Sequence, residues 1–314
     1  MSFRSSSSVI ADQSAMHAAV ALTHTSWQIS PPSVLRSLAD IFFDWAIIIF
    51  ATWITYRIGA CMAVLALLAI GNRQRALGNL LHEASHQNLS VRRKVNDWIA
   101  RLLLAPPLFS DLTRYRIQHA QHHAWLGDPV RDPDYLPRVK YEQRHWFSTY
   151  ARVLCDPANW IASLLGHLVG KRLSLAQWLA ITLWWVAYEA MLDMFVGTHF
   201  AILFLALWIT SKASVFHAIT AFREMIDHYG LESGGIFRHT RETPYLGLLS
   251  VLIHPHHNGY HLTHHLFPRI PYYHLPRAHA HLQQVSFFNE RSIVCEAYLK
   301  GSRASVNGWG AHHD

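Results

Sequence analysis

The stretch HPHHNGYHLTHHLFP, His254 to Pro268, decides how this chain is read. On a helix, side chains three and four residues apart leave the same face, so the H-x-x-H-H core at His261, His264 and His265 aims three imidazoles at one point. That is an arrangement for holding a metal ion. Two earlier stretches repeat it: HEASH sets His82 and His86 four residues apart, and HAQHH gives His119, His122 and His123 the spacing of the later cluster. Histidine is abundant, 24 residues of 314, and an isolated one in such a chain is most often a packed core residue. Independent placement at this composition gives roughly 0.14 occurrences of H-x-x-H-H, and the chain holds two.

Working outward, half the residues are apolar and only 15% are charged. With two long, nearly uncharged blocks, this composition reads as an integral membrane protein. The first block, Val34 to Leu81, is broken at Tyr56-Arg57 and Gly59; it is long enough for two spans, about 36–56 and 59–80. The second, Leu173 to Ala218, turns near Gly197 and gives spans at about 174–194 and 199–218. Residues 97–109 are too short to cross and are stopped by Pro106-Pro107, which reads as an interfacial helix. Residues 1–33 are Ser-rich and weakly patterned and read as a flexible cytosolic tail. Residues 300–314 read as a second flexible tail, and 34–299 as one membrane domain.

Topology tests the metal reading. Two spans separate the second cluster from the third, an even number, so all three clusters emerge on one side of the membrane. Of 27 Lys and Arg, only Arg57 falls in the short connections on the other side, so the positive-inside rule makes the histidine side, with both termini, cytoplasmic. The formal charge of +7 is spread beside apolar spans without a nucleic-acid motif, which points to membrane lipids and not to nucleic acid. Cys61, Cys155 and Cys295 lie far apart and suggest neither disulfides nor a thiolate cluster.

With HEASH, HAQHH and HLTHHLFP in this order, and DPD after the second cluster, residues 35–285 resemble the membrane fatty acid desaturase and hydroxylase superfamily, the bacterial acyl desaturases in particular. The resemblance implies an all-α integral membrane fold: four transmembrane helices in two hairpins, and a cytoplasmic helical cap with a histidine-rich di-iron site, in a bacterial inner membrane. It implies eight box ligands, His82, His86, His119, His122, His123, His261, His264 and His265, and a ninth on the helix after the fourth span. His228 matches that place, and His217 competes for it. It also implies two iron ions, with O2 as co-substrate and abstraction of hydrogen from an unactivated C–H bond. Imidazole suits that chemistry because, unlike thiolate, it is neutral and resists oxidation.

Ring orientation calls for partners on the nitrogen that faces away from the metal. Glu83, Asp128, Asp132, Asp134, Glu224 and Asp227 are candidates. Asn258 could reach a metal through water or turn the chain, and Pro255 takes His254, His256 and His257 out of register with the third box. The chain has no flavin, haem or iron–sulfur pattern, so electrons would come from a separate ferredoxin, cytochrome or reductase. The substrate is expected to be an apolar acyl chain, whether fatty acid, carrier-linked thioester or lipid. Desaturation is the expected reaction, with hydroxylation or a related C–H oxidation second. A non-catalytic membrane metal-binding or transport protein is the reading from another class. A transporter would place its ligands inside the spans, and the boxes lie beyond their ends.

Overall fold

The computed structural model describes residues 6–22, 30–138, 145–169 and 173–310. The outermost tail residues, with His312 and His313, lie outside these. The described residues are almost entirely helical, with one two-stranded parallel ladder joining Arg241–Glu242 to Ile293–Val294. The chain divides into two units.

One unit comprises Ser33–Tyr115 and Leu154–Ala221. It holds two helical hairpins, Val34–Ile58 with Ala63–Ser85, and Leu175–Val196 with Thr198–Ser211. The reversals fall at Gly59 and Gly197, both at φ +110°, a backbone region that residues with a Cβ rarely enter. Leu175–Val196 and Thr198–His228 are long and apolar enough to cross a membrane. Val34–Ile58 and Ala63–Ser85 have the length but carry more charge. Much of it is paired: Asp44, fully buried, takes the Arg73 guanidinium at 2.9 Å. Phe42, Phe50, Leu65, Leu183, Phe195 and Ile202 are exposed on these helices, an apolar exterior unlike that of a water-soluble bundle.

The Pro106-Pro107 pair explains a row of tryptophans. In helical register the carbonyls of Leu102 and Leu103 would accept from residues 106 and 107, and proline has no N–H to give. Indoles supply the missing donors. Trp184 Nε1–H donates to the Leu102 carbonyl at 2.7 Å and Trp45 Nε1–H to that of Leu103 at 3.2 Å. Residues 97–109, expected as one interfacial helix, are instead divided among a short α-helix, Arg93–Ile99, a π-helical stretch, Ala100–Leu104, and a 3-10 turn, Pro106–Leu108.

The other unit comprises Met1–Pro32, Arg116–Val153 and Phe222–Asp314. Within the expected tails, some of the described residues pack in this unit. Ser7–Ala21 is a helix capped by Ser6, with Val9 and Met16 buried. Gln13 donates to the His265 carbonyl, and Asp12 accepts from the Ile236 N–H. Val9, Asp12, Gln13 and Met16 share one face, but half of it is polar, so no apolar stripe marks it as docked. At the other end Trp309 is fully buried against Phe222 and Trp146, with ring centroids 5.2 and 6.3 Å away. A Trp in a Gly/Ser-rich segment was the available sign that it is anchored.

Candidate metal centre

HAQHH lies on the helix Leu112–Ala124, His228 ends the helix His217–His228, and the third box forms the six-residue helix His261–Leu266. These elements bring a ring nitrogen each from His122, His228, His261 and His265 within 4.8 Å of one another, and all four residues are buried. His261 Nε2 stands 3.0 Å from His228 Nε2 and 3.1 Å from His265 Nε2. One ring proton cannot satisfy both approaches. Nitrogen ligands about 2.1 Å from a shared ion stand about 3.0 Å apart at right angles and about 3.4 Å apart at tetrahedral angles, which is the separation found.

A second group adjoins the first. His123 Nε2 lies 3.0 Å from His119 Nε2 and 3.2 Å from His264 Nε2, and the His123 and His265 rings are stacked with centroids 4.2 Å apart. In the hairpin unit HEASH closes the helix Ala63–Ser85, with His86 at its C-cap and the His82 and His86 ring centroids 5.1 Å apart. Glu83 Oε1 is 3.3 Å from His82 Nδ1.

The far side of the rings is organised. Asp132 takes His122 Nδ1 at 2.8 Å, and is itself held by the N–H groups of Gly127, 2.8 Å, and Asp134, 2.9 Å. His228 Nδ1–H donates to the His239 carbonyl at 2.7 Å. Each bond fixes a proton on Nδ1 and leaves Nε2 as the free lone pair, the tautomer a metal ligand needs. Burial opposes protonation of His122, but the Asp132 hydrogen bond and the Asp134 and Asp132 charges outweigh it and raise its pKa. His265 goes the other way: burial, then crowding by His123, His261, His122 and His228, holds its pKa well below the ordinary imidazole value. It is therefore neutral and able to ligate at pH 7.

His217 is not in either group; it donates through Nε2 to the Leu154 carbonyl at 2.9 Å. His228, by contrast, stands in the first group. Asp227, fully buried, has Oδ2 3.7 Å from His261 Nε2 and 2.8 Å from Arg223 Nη2. His254 faces Asp227 Oδ1 at 3.6 Å and pairs through Nδ1 with the Tyr298 hydroxyl at 2.9 Å. His256 and His257, both at left-handed φ, stay outside both groups. Asn258 is buried, and its Oδ1 has no hydrogen-bond partner among the described residues. Sequence reasoning missed His239, which acts through a main-chain carbonyl that any residue could supply. It also missed Glu242, nineteen positions before the box it touches.

A helical chain that gathers histidines into metal-sized clusters and also carries apolar helical hairpins defines a class of protein. Residues 59–294 match the family model described as fatty acid desaturase, and the chain belongs to that family. It is similar to dihydrorhizobitoxine desaturase of Bradyrhizobium elkanii, 28% identical over 274 residues that cover 80% of this chain and 76% of that one. It is also similar to the sn-1 acyl-lipid omega-3 desaturase (ferredoxin) of Synechocystis sp., 30% identical over 124 residues, 38% of this chain and 34% of the relative. The protein is a desaturase-like oxidoreductase.

Proposed function

We propose that the chain is an O2-dependent di-iron membrane oxidase that introduces a double bond into the acyl chain of a fatty acid, carrier thioester or lipid. The observation that carries this is the convergence of His122, His228, His261 and His265, whose ring nitrogens stand at ligand separations with their outer nitrogens oriented by Asp132 and the His239 carbonyl. These four would hold one iron. His119, His123 and His264 would contribute to a second, and His82 and His86 join the ligand set on the order of the boxes in the family. Bound there, iron would supply the redox capacity to activate dioxygen and remove hydrogen from an unactivated carbon.

The residues would do the rest. Neutral imidazoles would leave a bound metal electron-poor, and Asp132 and the His239 carbonyl keep the protons of His122 and His228 off the ligating nitrogens. The exclusion of water by their burial protects a reactive centre. In desaturation the substrate gives up two hydrogens and O2 leaves as two waters, which takes two electrons and two protons from outside. The name of the Synechocystis relative includes ferredoxin, and a small electron carrier is the donor we propose.

All four hairpin helices are proposed to cross the bilayer, in a bacterial inner membrane with the boxes and termini cytoplasmic. Neutralisation of Asp44 by Arg73 supports the inclusion of the first hairpin. The test is expression in a host of known lipids, followed by mass spectrometry of the lipid and the water-soluble fractions. Both fractions matter because the relatives' names cover an acyl-lipid and dihydrorhizobitoxine. Loss of two hydrogens, abolished by His261→Ala, supports the proposal. Gain of one oxygen would make the enzyme a hydroxylase.

A further inference from the structure

The helix His261–Leu266 carries His261, His264 and His265 and is six residues long. A helix this short cannot hold its direction by its own hydrogen bonds, and Tyr260 at its N-cap provides no side-chain cap. Its stability comes from a distant segment. Glu242, in the ladder with Val294, is fully buried. Its Oε2 accepts the Thr263 N–H at 2.9 Å and its Oε1 the Thr263 hydroxyl at 2.5 Å. His279 Nδ1 lies 2.8 Å from the same Oε1, and the His279 ring is fixed between Tyr260 and Phe288, at 5.3 and 5.8 Å.

The backbone around Glu242 is fastened as well. Its carbonyl accepts the Cys295 N–H at 2.8 Å, and the next N–H, of Thr243, donates to the Gly259 carbonyl at 2.7 Å. One segment therefore grips both the loop entering the box and the first turn of the box. Thr263 sits between His261 and His264, so any rotation of this turn would swing those rings and His265 together. His261 and His265 serve one nitrogen group and His264 the other.

We propose that Glu242 is a positioning residue for the metal centre, setting the rotation of the third box and so the affinity of both metal positions. The inference rests on the metal-centre reading above. A carboxylate suits the task because its two oxygens accept from the amide and hydroxyl of one threonine at once, and burial protects both bonds from competing water.

The test uses the full-length protein in detergent, stripped of metal and titrated with Co2+, with visible absorption, iron content and thermal midpoint recorded for each variant. Relative to wild type, Glu242→Ala should weaken Co2+ binding at both positions by roughly tenfold or more, at a temperature where the variant is fully folded. Glu242→Gln keeps one acceptor oxygen and should fall between, with an altered Co2+ spectrum. If Glu242→Ala does not fold, Thr263→Val decides the matter. It loses the hydroxyl bond alone and should still weaken binding and shift the spectrum. Folded variants with wild-type Co2+ affinity, spectrum and iron content would overturn the proposal while leaving the metal centre standing. Failure of the wild-type protein to bind metal, or His261→Ala binding it normally, would overturn the metal-centre reading itself.

Discussion

Asp132→Ala probes the orientation of a single ligand. The carboxylate takes His122 Nδ1 at 2.8 Å and ties down the N–H groups of Gly127 and Asp134, and it is buried, so water cannot readily replace it. Removing it leaves the His122 ring free to turn and free to move its proton to the ligating nitrogen. A charge-assisted hydrogen bond at a buried site contributes about 1.5–3 kcal/mol. Outer partners of metal-bound histidines change affinity by about 10–100-fold, or about 1.4–2.7 kcal/mol, so the two scales agree. Metal affinity should therefore fall by that factor when measured by chelator competition on the purified protein. Asp132→Asn keeps an oxygen for His122 but loses the acceptor for Gly127, and should lose less. If Asp132→Ala retained wild-type affinity while His122→Ala lost metal, the carboxylate would have no orienting role and the reasoning would fail.

Other substitutions separate ligands from structural groups. His265→Ala should lose most bound iron, whereas His217→Ala, which breaks a bond to the Leu154 carbonyl, should keep it in the folded fraction; elemental analysis of both variants checks this. Trp45→Phe removes the donor to the Leu103 carbonyl and should lower stability by about 1–3 kcal/mol, read as a reduced thermal midpoint with iron per folded chain unchanged. Acidification has a definite sign. The lowered pKa values of His265 and His239 mean the unfolded chain takes up protons that the folded one refuses, so the metal-free protein should lose stability as the pH falls below about 6.5. His228 and His274 are lowered as well, so the raised His122 opposes as one imidazole against four, with the raised Asp134 on its side. A thermal midpoint that holds or rises between pH 7 and 5 would contradict it.

The parts of the site legible in the sequence are those set by local periodicity. Helical spacing alone put His119, His122 and His123 on one face and His261, His264 and His265 on another, and Gly197 marked one hairpin reversal; the other, expected at Arg57, falls at Gly59. His228 emerged from the family pattern; it stands among the grouped imidazoles, whereas His217 bonds the Leu154 carbonyl. What escaped depends on contacts between distant positions. Glu242 reaches Thr263 through a two-residue ladder with no strand signal, and His239 acts through its backbone. The Asp44–Arg73 pair joins two helices, and each partner alone looks only like an awkward charge in an apolar run. Helix Ser7–Ala21 was hidden for another reason: its docked face, Val9, Asp12, Gln13 and Met16, has helical spacing but is half polar, so no apolar stripe marks it.

X-ray absorption at the iron edge, with metal counted per chain on protein purified without added chelator, tests the centre itself. The account predicts two irons per chain, each surrounded by nitrogen and oxygen at about 2.0–2.2 Å, with imidazole scattering and no sulfur. Protein that desaturates its substrate without iron, or irons bound to sulfur, would contradict it.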